Sequence, residues 1–179
     1  MMRLFIGIAL PATVRQALSG AAKAMESRMP GRYVPMENYH ITLAFLGETD
    51  ADGLARARRA MTCAAANQCA VPLALDRPGY FGRRENAILY AGITGWDALA
   101  RIDQLLRQEL RNVGLAFDPK PFRPHITLAR HVCILPDILN APLPPVCFPA
   151  KGLTLFHSTR INGVLTYLPL AEAVFPEIS

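Results

Sequence analysis

The chain carries one pentapeptide twice, as His40-Ile41-Thr42-Leu43-Ala44 and His125-Ile126-Thr127-Leu128-Ala129. It has four histidines, so half of them open the same five residues. At average residue usage this coincidence is expected roughly once in ten thousand. In a strand, positions i and i+2 share a face. Each copy therefore sets an imidazole beside a hydroxyl, with isoleucine and leucine on the other side. Two such faces across a cleft supply two imidazoles and two hydroxyls. One imidazole can act as acid and the other as base near neutral pH. Threonine hydroxyls can donate to the non-bridging oxygens of a bound anion. The set suits attack on phosphorus: a base for the nucleophile, an acid for the leaving oxygen, and donors for developing charge. A single His-x-Thr is usually structural, and the second copy in a matching context reverses that reading. A two-histidine metal site would want a third ligand, which neither motif itself supplies. Walker-type and GxGxxG phosphate loops are absent.

The elements that place these motifs follow from periodicity. Arg3–Ala9 reads as a buried strand, and Pro11 opens a helix to about Arg28 that buries Val14, Leu18, Ala21 and Met25. After a short extended stretch, Arg32–Pro35, comes the first motif strand, His40–Leu46. Parity puts His40, Thr42, Ala44 and Leu46 on one face and Ile41, Leu43 and Phe45 on the core face. Thr49 or Asp50 caps a helix over about 51–66. Val71–Leu75 and Asn86–Ile93 read as strands around an arginine- and aromatic-rich loop, Asp76–Arg84. Trp96–Asn112 is a helix closed by Gly114. A proline-rich stretch leads into the second motif strand, His125–Ala129. Leu135–Pro145 reads as a connection with at most one helical turn. Val146–Phe156 and Gly163–Leu170 read as a closing pair of strands, and the tail from Ala171 to Ser179 is uninformative. The motif histidines lie 85 positions apart. The same offset carries Gly7-Ile8 onto Gly92-Ile93 and Pro11 onto Trp96, so a strand–helix–strand unit occurs twice. The expectation is an α+β, bilobal fold. Its two pseudo-two-fold-related lobes each carry an antiparallel β-sheet backed by helices, with the cleft between them.

The 179 residues suit one domain or two small lobes, and 51% hydrophobic content suffices for a core. A net charge of +5 favours anionic partners, nucleic acid or nucleotide first. Cys63, Cys69, Cys133 and Cys147 form no CxxC pair and read as buried free thiols of a reducing compartment. The apolar run Leu4–Leu10 is too short for a membrane span and has an internal counterpart, so the expected location is cytoplasmic. His131 and His157 stand outside the motifs and take no role. Arg130 follows the second motif, but parity turns it away from the His125 face, so its reach toward a phosphate depends on how the strand ends. Arg32, Tyr33, Tyr80, Phe81, Arg83 and Arg84 mix cations and aromatics as single-stranded RNA surfaces do.

The paired motifs resemble those of the 2H phosphoesterases, and among them the bacterial RNA 2′,3′-cyclic phosphodiesterases, also called 2′-5′ RNA ligases. The likeness extends to Arg3-Leu4-Phe5-Ile6, to Glu37-Asn38-Tyr39-His40 through Phe45-Leu46-Gly47, to Pro121-Phe122-Arg123-Pro124-His125 through Arg130, and to Leu153–Ser158 with Tyr167. It implies one domain over 1–179, of two interleaved lobes with motifs at 40–43 and 125–128. The implied reaction opens a 2′,3′-cyclic phosphate at an RNA end, leaving a 2′-phosphate. His40 would be the proton donor, His125 the proton acceptor, and Thr42 and Thr127 the holders of phosphate oxygens. Arg130, Tyr33 and Phe45 are the candidate substrate contacts. The resemblance implies no cofactor and no metal. The expected partner is RNA with a cyclic phosphate end, tRNA fragments included, bound by a monomer away from any membrane. Tyr33 stands where the family often has tryptophan, and Arg160 is the one basic residue of Thr159–Thr166. The residues themselves leave open which histidine is acid. They also leave open 2′-5′ ligation at the same site, a small cyclic nucleotide as substrate, and a non-catalytic RNA-binding module.

Overall fold

The computed structural model describes residues 1–176. Glu177, Ile178 and Ser179, the end of the tail, lie outside the described residues. The strands are β1 (Met2–Ala9), β2 (Arg32–Tyr33), β3 (His40–Thr49), β4 (Val71–Arg83), β5 (Asn86–Thr94), β6 (His125–Val132), β7 (Cys147–Ala150), β8 (Gly152–Ile161) and β9 (Val164–Val174). The α-helices are α1 (Ala12–Glu26), α2 (Ala51–Ala65) and α3 (Trp96–Asn112). The expected α+β class holds. The strands join one antiparallel sheet in the order β7-β4-β5-β6-β3-β1-β8-β9, with β2 added on β6. This order is symmetric about the β6–β3 joint, where a single pair, Ile41 with Ile126, links the two halves.

Each half reaches into the other beside its motif strand. The Val34 N–H donates to the Leu128 carbonyl, and the Asp118 N–H donates to the Phe45 carbonyl. The 85-residue offset holds for the motif strands but not for their partners. Ala9 pairs with His40, whereas Gly92, not Thr94, pairs with His125. A slide of two residues keeps every side chain on its face, so the pattern survives it.

One core lies on the apolar side of the sheet. Ile6, Ile8, Ile41, Leu89, Ile126 and Leu128 meet Val14 and Leu18 of α1 and Leu99, Ile102 and Leu106 of α3. Burying each such side chain contributes about 1.5–3 kcal/mol. Asp50 caps α2 by accepting from the Gly53 N–H at 2.7 Å. β1 must come close to β3 beside the motif: a Cβ at Gly7 would run into the Ile41 carbonyl, so this position demands glycine.

Several sequence expectations change. Asp76–Arg83 is not a loop but the second half of β4, paired with β5 through an irregularity between Leu75 and Pro78, and Arg84 opens the turn into β5. Pro78 marks that irregularity, Gly79 makes room for the Tyr90 ring, and Gly82, at positive φ, stands close to the chain reversal at Arg84-Glu85. Val146–Phe156 divides into β7 and β8, which sit at different places in the sheet, and β9 runs on to Val174. All four cysteines are exposed and unpaired, on helix flanks, edge strands and connections, and not buried. No helix among the described residues is long and apolar enough to cross a membrane.

Candidate active site

Both motif strands break period two at the same place. Thr42 pairs with Gly7 and Ala44 with Ile6, so Leu43 is bulged. Thr127 pairs with Tyr90 and Ala129 with Leu89, so Leu128 is bulged. A bulge inserts one residue and reverses the facing of everything after it. Leu43 and Ala44 are therefore both buried, as are Leu128 and Ala129. Ala44 and Leu46 belong to the core, contrary to simple alternation. Phe45 and Arg130, both sent away from the histidines by parity, turn into the cleft.

The carbonyls of the bulged leucines need partners, and each partner comes from the opposite half. Leu128 accepts from Val34 as above. Leu43 accepts from the Arg107 Nη2 at 3.2 Å, with Arg107 held in turn by Asp103 at 2.8 Å. Asp103 is 3% exposed, and desolvation raises its pKa against the pull of Arg107. This buried pair anchors α3 to the first motif strand.

The sequence-derived candidates His40, Thr42, Phe45, Tyr33, His125, Thr127 and Arg130 all line one cavity of about 480 Å³. A second hollow of about 500 Å³ continues past Phe45 and Arg130 and is edged by Arg3, Glu48 and Arg160. A separate cavity at the β7–β8 junction, with Lys151 and Glu172, contains no imidazole and lies away from the motifs.

His40 Nδ1 donates to the Asn38 carbonyl at 2.7 Å, and His125 Nδ1 donates to the Arg123 carbonyl at 2.5 Å. A carbonyl can only accept, so both rings carry the proton on Nδ1, and Nε2 is the free nitrogen. The Thr42 hydroxyl lies 2.9 Å from His40 Nε2 and donates to it. Behind His40 stand Phe5, Phe156 and Tyr167, with centroids 4.7, 5.9 and 5.0 Å from its ring. Behind His125 stand Phe81 at 4.9 Å and Tyr90 at 5.5 Å. These walls set the electrostatics. Burial pushes the His40 pKa down to about 4, with His125 and Arg130 adding repulsion. Burial lowers His125 as well, seconded by Arg130. Both imidazoles are therefore neutral at pH 7, and a bound anion favours putting a proton back on one of them.

Sequence reasoning missed Asn38, Leu165 and Tyr167, which also line the cavity. Tyr167 carried a hint through its place in the resemblance. Asn38 likewise falls within the resemblance, two residues before His40, but nothing in the sequence showed it to be buried. His131 is exposed and meets the Asn86 side chain at 2.9 Å, and it is not among the residues lining the cavity.

Comparison with known proteins follows the same lines. The family model for the 2′-5′ RNA ligase superfamily matches residues 12–162. The chain is 31% identical over 181 residues to an RNA 2′,3′-cyclic phosphodiesterase of Thermotoga maritima, covering 97% of this chain and 96% of that protein. It is 36% identical over 128 residues to one from Geobacillus stearothermophilus, covering 70% of this chain but 41% of that longer protein. The crystal structure of Escherichia coli LigT in complex with 3′-AMP superposes with a TM-score of 0.82 at 27% identity, over 98% of this chain and 99% of that one.

Proposed function

The chain belongs to the 2′-5′ RNA ligase superfamily, and we propose that it is an RNA 2′,3′-cyclic phosphodiesterase that works by two-histidine acid–base catalysis without a metal. The carrying observation is the pair of imidazoles, each fixed by its Nδ1 proton and each beside a threonine on one cavity. His125 takes a proton from water, whose oxygen attacks phosphorus in line with the P–O3′ bond. His40 gives a proton to O3′ as that bond breaks, leaving a 2′-phosphate. Thr42, Thr127 and Arg130 hold the non-bridging oxygens, and the Thr42 hydroxyl must turn from His40 Nε2 to do so. The cyclic phosphate is itself an anion, and its arrival favours the protonated form of the acid. The donor set supports the metal-free reading: among the described residues no cluster of three carboxylates, thiols or imidazoles surrounds the site.

The hollow edged by Arg3 and Arg160 offers cations to the backbone of a longer RNA, so RNA ends, tRNA fragments among them, are the proposed substrates of a monomeric enzyme. Four unpaired exposed thiols fit a reducing, cytoplasmic setting. The test is turnover of oligoribonucleotides ending in a 2′,3′-cyclic phosphate, in EDTA, with the product isomer identified by NMR. His40→Ala and His125→Ala are each expected to lose about 10²–10⁴-fold in kcat. Full activity in either variant refutes the mechanism.

A further inference from the structure

β9 is an edge strand and should present an unpaired backbone row. At the cleft it does not. The Asn38 Nδ2 donates to the Leu165 carbonyl at 2.8 Å, and the Tyr167 N–H donates to the Asn38 Oδ1 at 3.1 Å. One side-chain amide thus takes the place of a rung from a neighbouring strand. Its orientation is fixed, because a carbonyl accepts and an N–H donates. Asn38 is 5% exposed, and its own carbonyl is the acceptor that fixes the His40 tautomer. The strand it grips carries Leu165 and Tyr167 into the cavity, with the Tyr167 ring edge-on to His40. Beyond this grip the hairpin runs to an Asn162-Gly163 turn, both residues at positive φ, and exposes Ile161 and Val164. In the other half, the carbonyl before His125 comes from Arg123, whose side chain is exposed and grips no strand.

We propose that Asn38 is a positioning residue that locks the β8–β9 hairpin as a wall over His40, so that one residue holds both the imidazole and its cover. The catalytic part of this inference rests on the phosphodiesterase reading above, whereas the lock itself does not. The groups facing His40 are Tyr167 from β9 and His125 and Arg130 from β6, with Phe5 and Phe156 apolar behind it. Opening the wall rehydrates His40 and leaves His125 as it was.

The test uses Asn38→Ala and Asn38→Asp in the full chain. Three readouts are needed: amide hydrogen exchange at Tyr167, a histidine ¹⁵N NMR titration, and kcat and KM on cytidine 2′,3′-cyclic phosphate. In Asn38→Ala, Tyr167 exchange should quicken by about tenfold or more for two lost hydrogen bonds. His40 should titrate closer to its ordinary 6.5, with His125 unmoved. Its kcat should fall by about tenfold while KM changes little. Asn38→Asp keeps the shape and guards against a variant that fails to fold. As a carboxylate at pH 8 it faces the Leu165 carbonyl and should open the hairpin. As a carboxylic acid, below about pH 4, it restores both bonds, and exchange corrected for intrinsic rates should return toward wild type. Unchanged Tyr167 exchange or an unmoved His40 titration overturns the proposal, whatever the activity. Inactive wild type with those two readouts as expected overturns the phosphodiesterase reading and leaves the lock standing.

Discussion

Acidification provides a sharp test of how His40 is held. In the unfolded chain its imidazole titrates near 6.5, and in the fold near 4, because burial disfavours the charged ring. As pH falls, the unfolded state takes up this proton first. The stability His40 contributes is therefore complete above about pH 6.5 and is lost as pH drops through that value toward 4. Between pH 8 and pH 5 this difference amounts to about 2 kcal/mol. The ring edge open to the cleft admits water, which screens part of it and leaves about 1–2 kcal/mol. The assay is urea unfolding of wild type and His40→Gln at both pH values. Glutamine does not titrate, so the variant should lose about 1–2 kcal/mol less than wild type on going to pH 5. Asp118 and Asp137 shift in the same sense and Asp103 in the opposite one, but they are common to both proteins, make no contact with His40 and cancel in the double difference. If the two proteins lose stability in parallel, to within about 0.3 kcal/mol, His40 is not desolvated and the account of its wall is wrong.

Other outcomes follow from the same geometry. Arg130→Gln should lower kcat/KM by about 10–100-fold through loss of a charge-assisted contact to phosphate, with melting temperature little changed; a change under about threefold in kcat/KM would remove Arg130 from the site. Arg107→Met breaks a buried pair and strands both Asp103 and the Leu43 carbonyl, so chemical denaturation should show a loss of about 3 kcal/mol or more. Because both histidines have lowered pKa values in the free protein, kcat/KM should fall above about pH 6.5, by roughly tenfold per unit. An alkaline limb lying above pH 8 would contradict that ordering.

The duplicated motif made the cleft side chains legible because strand parity is a local property, readable from five residues. The α+β class and the helix faces were legible for the same reason, as Asp50 and the Val14–Leu18–Met25 stripe show. Arg130 and Phe45 were named through the resemblance, but their facing was not legible, because it depends on an extra residue accommodated by the neighbouring strand. The bulge at Leu43 exists because β1 pairs as it does and because Arg107, far along the chain, satisfies the freed carbonyl. The repeated Leu-Ala step was the available trace: two consecutive core residues, the second small, in both copies. The cysteines misled because thiols are commonly buried, and composition carries no information about which flank of a helix or edge strand meets water. Asn38 was hidden for a related reason, since an asparagine before a strand normally reads as a turn residue and its grip on β9 spans the chain.

The symmetry that exposed the site also sets its main difficulty. On the proposed reading, two like His-x-Thr strands in symmetric halves provide no basis for telling O2′ from O3′ of a cyclic phosphate, since turning the substrate over would exchange acid and base. Discrimination has to come from what breaks the two-fold. At the fifth position after each histidine the bulges present unlike groups, an aromatic face at Phe45 and a guanidinium at Arg130. The flanks differ as well: the hairpin gripped by Asn38 covers His40, while the exposed Arg123 side chain makes no matching grip beside His125. A nucleotide can stack on one side and place its charge toward the other. On the proposed mechanism, then, the histidines supply like chemistry, and the assignment of acid and base falls to residues outside the repeated motif.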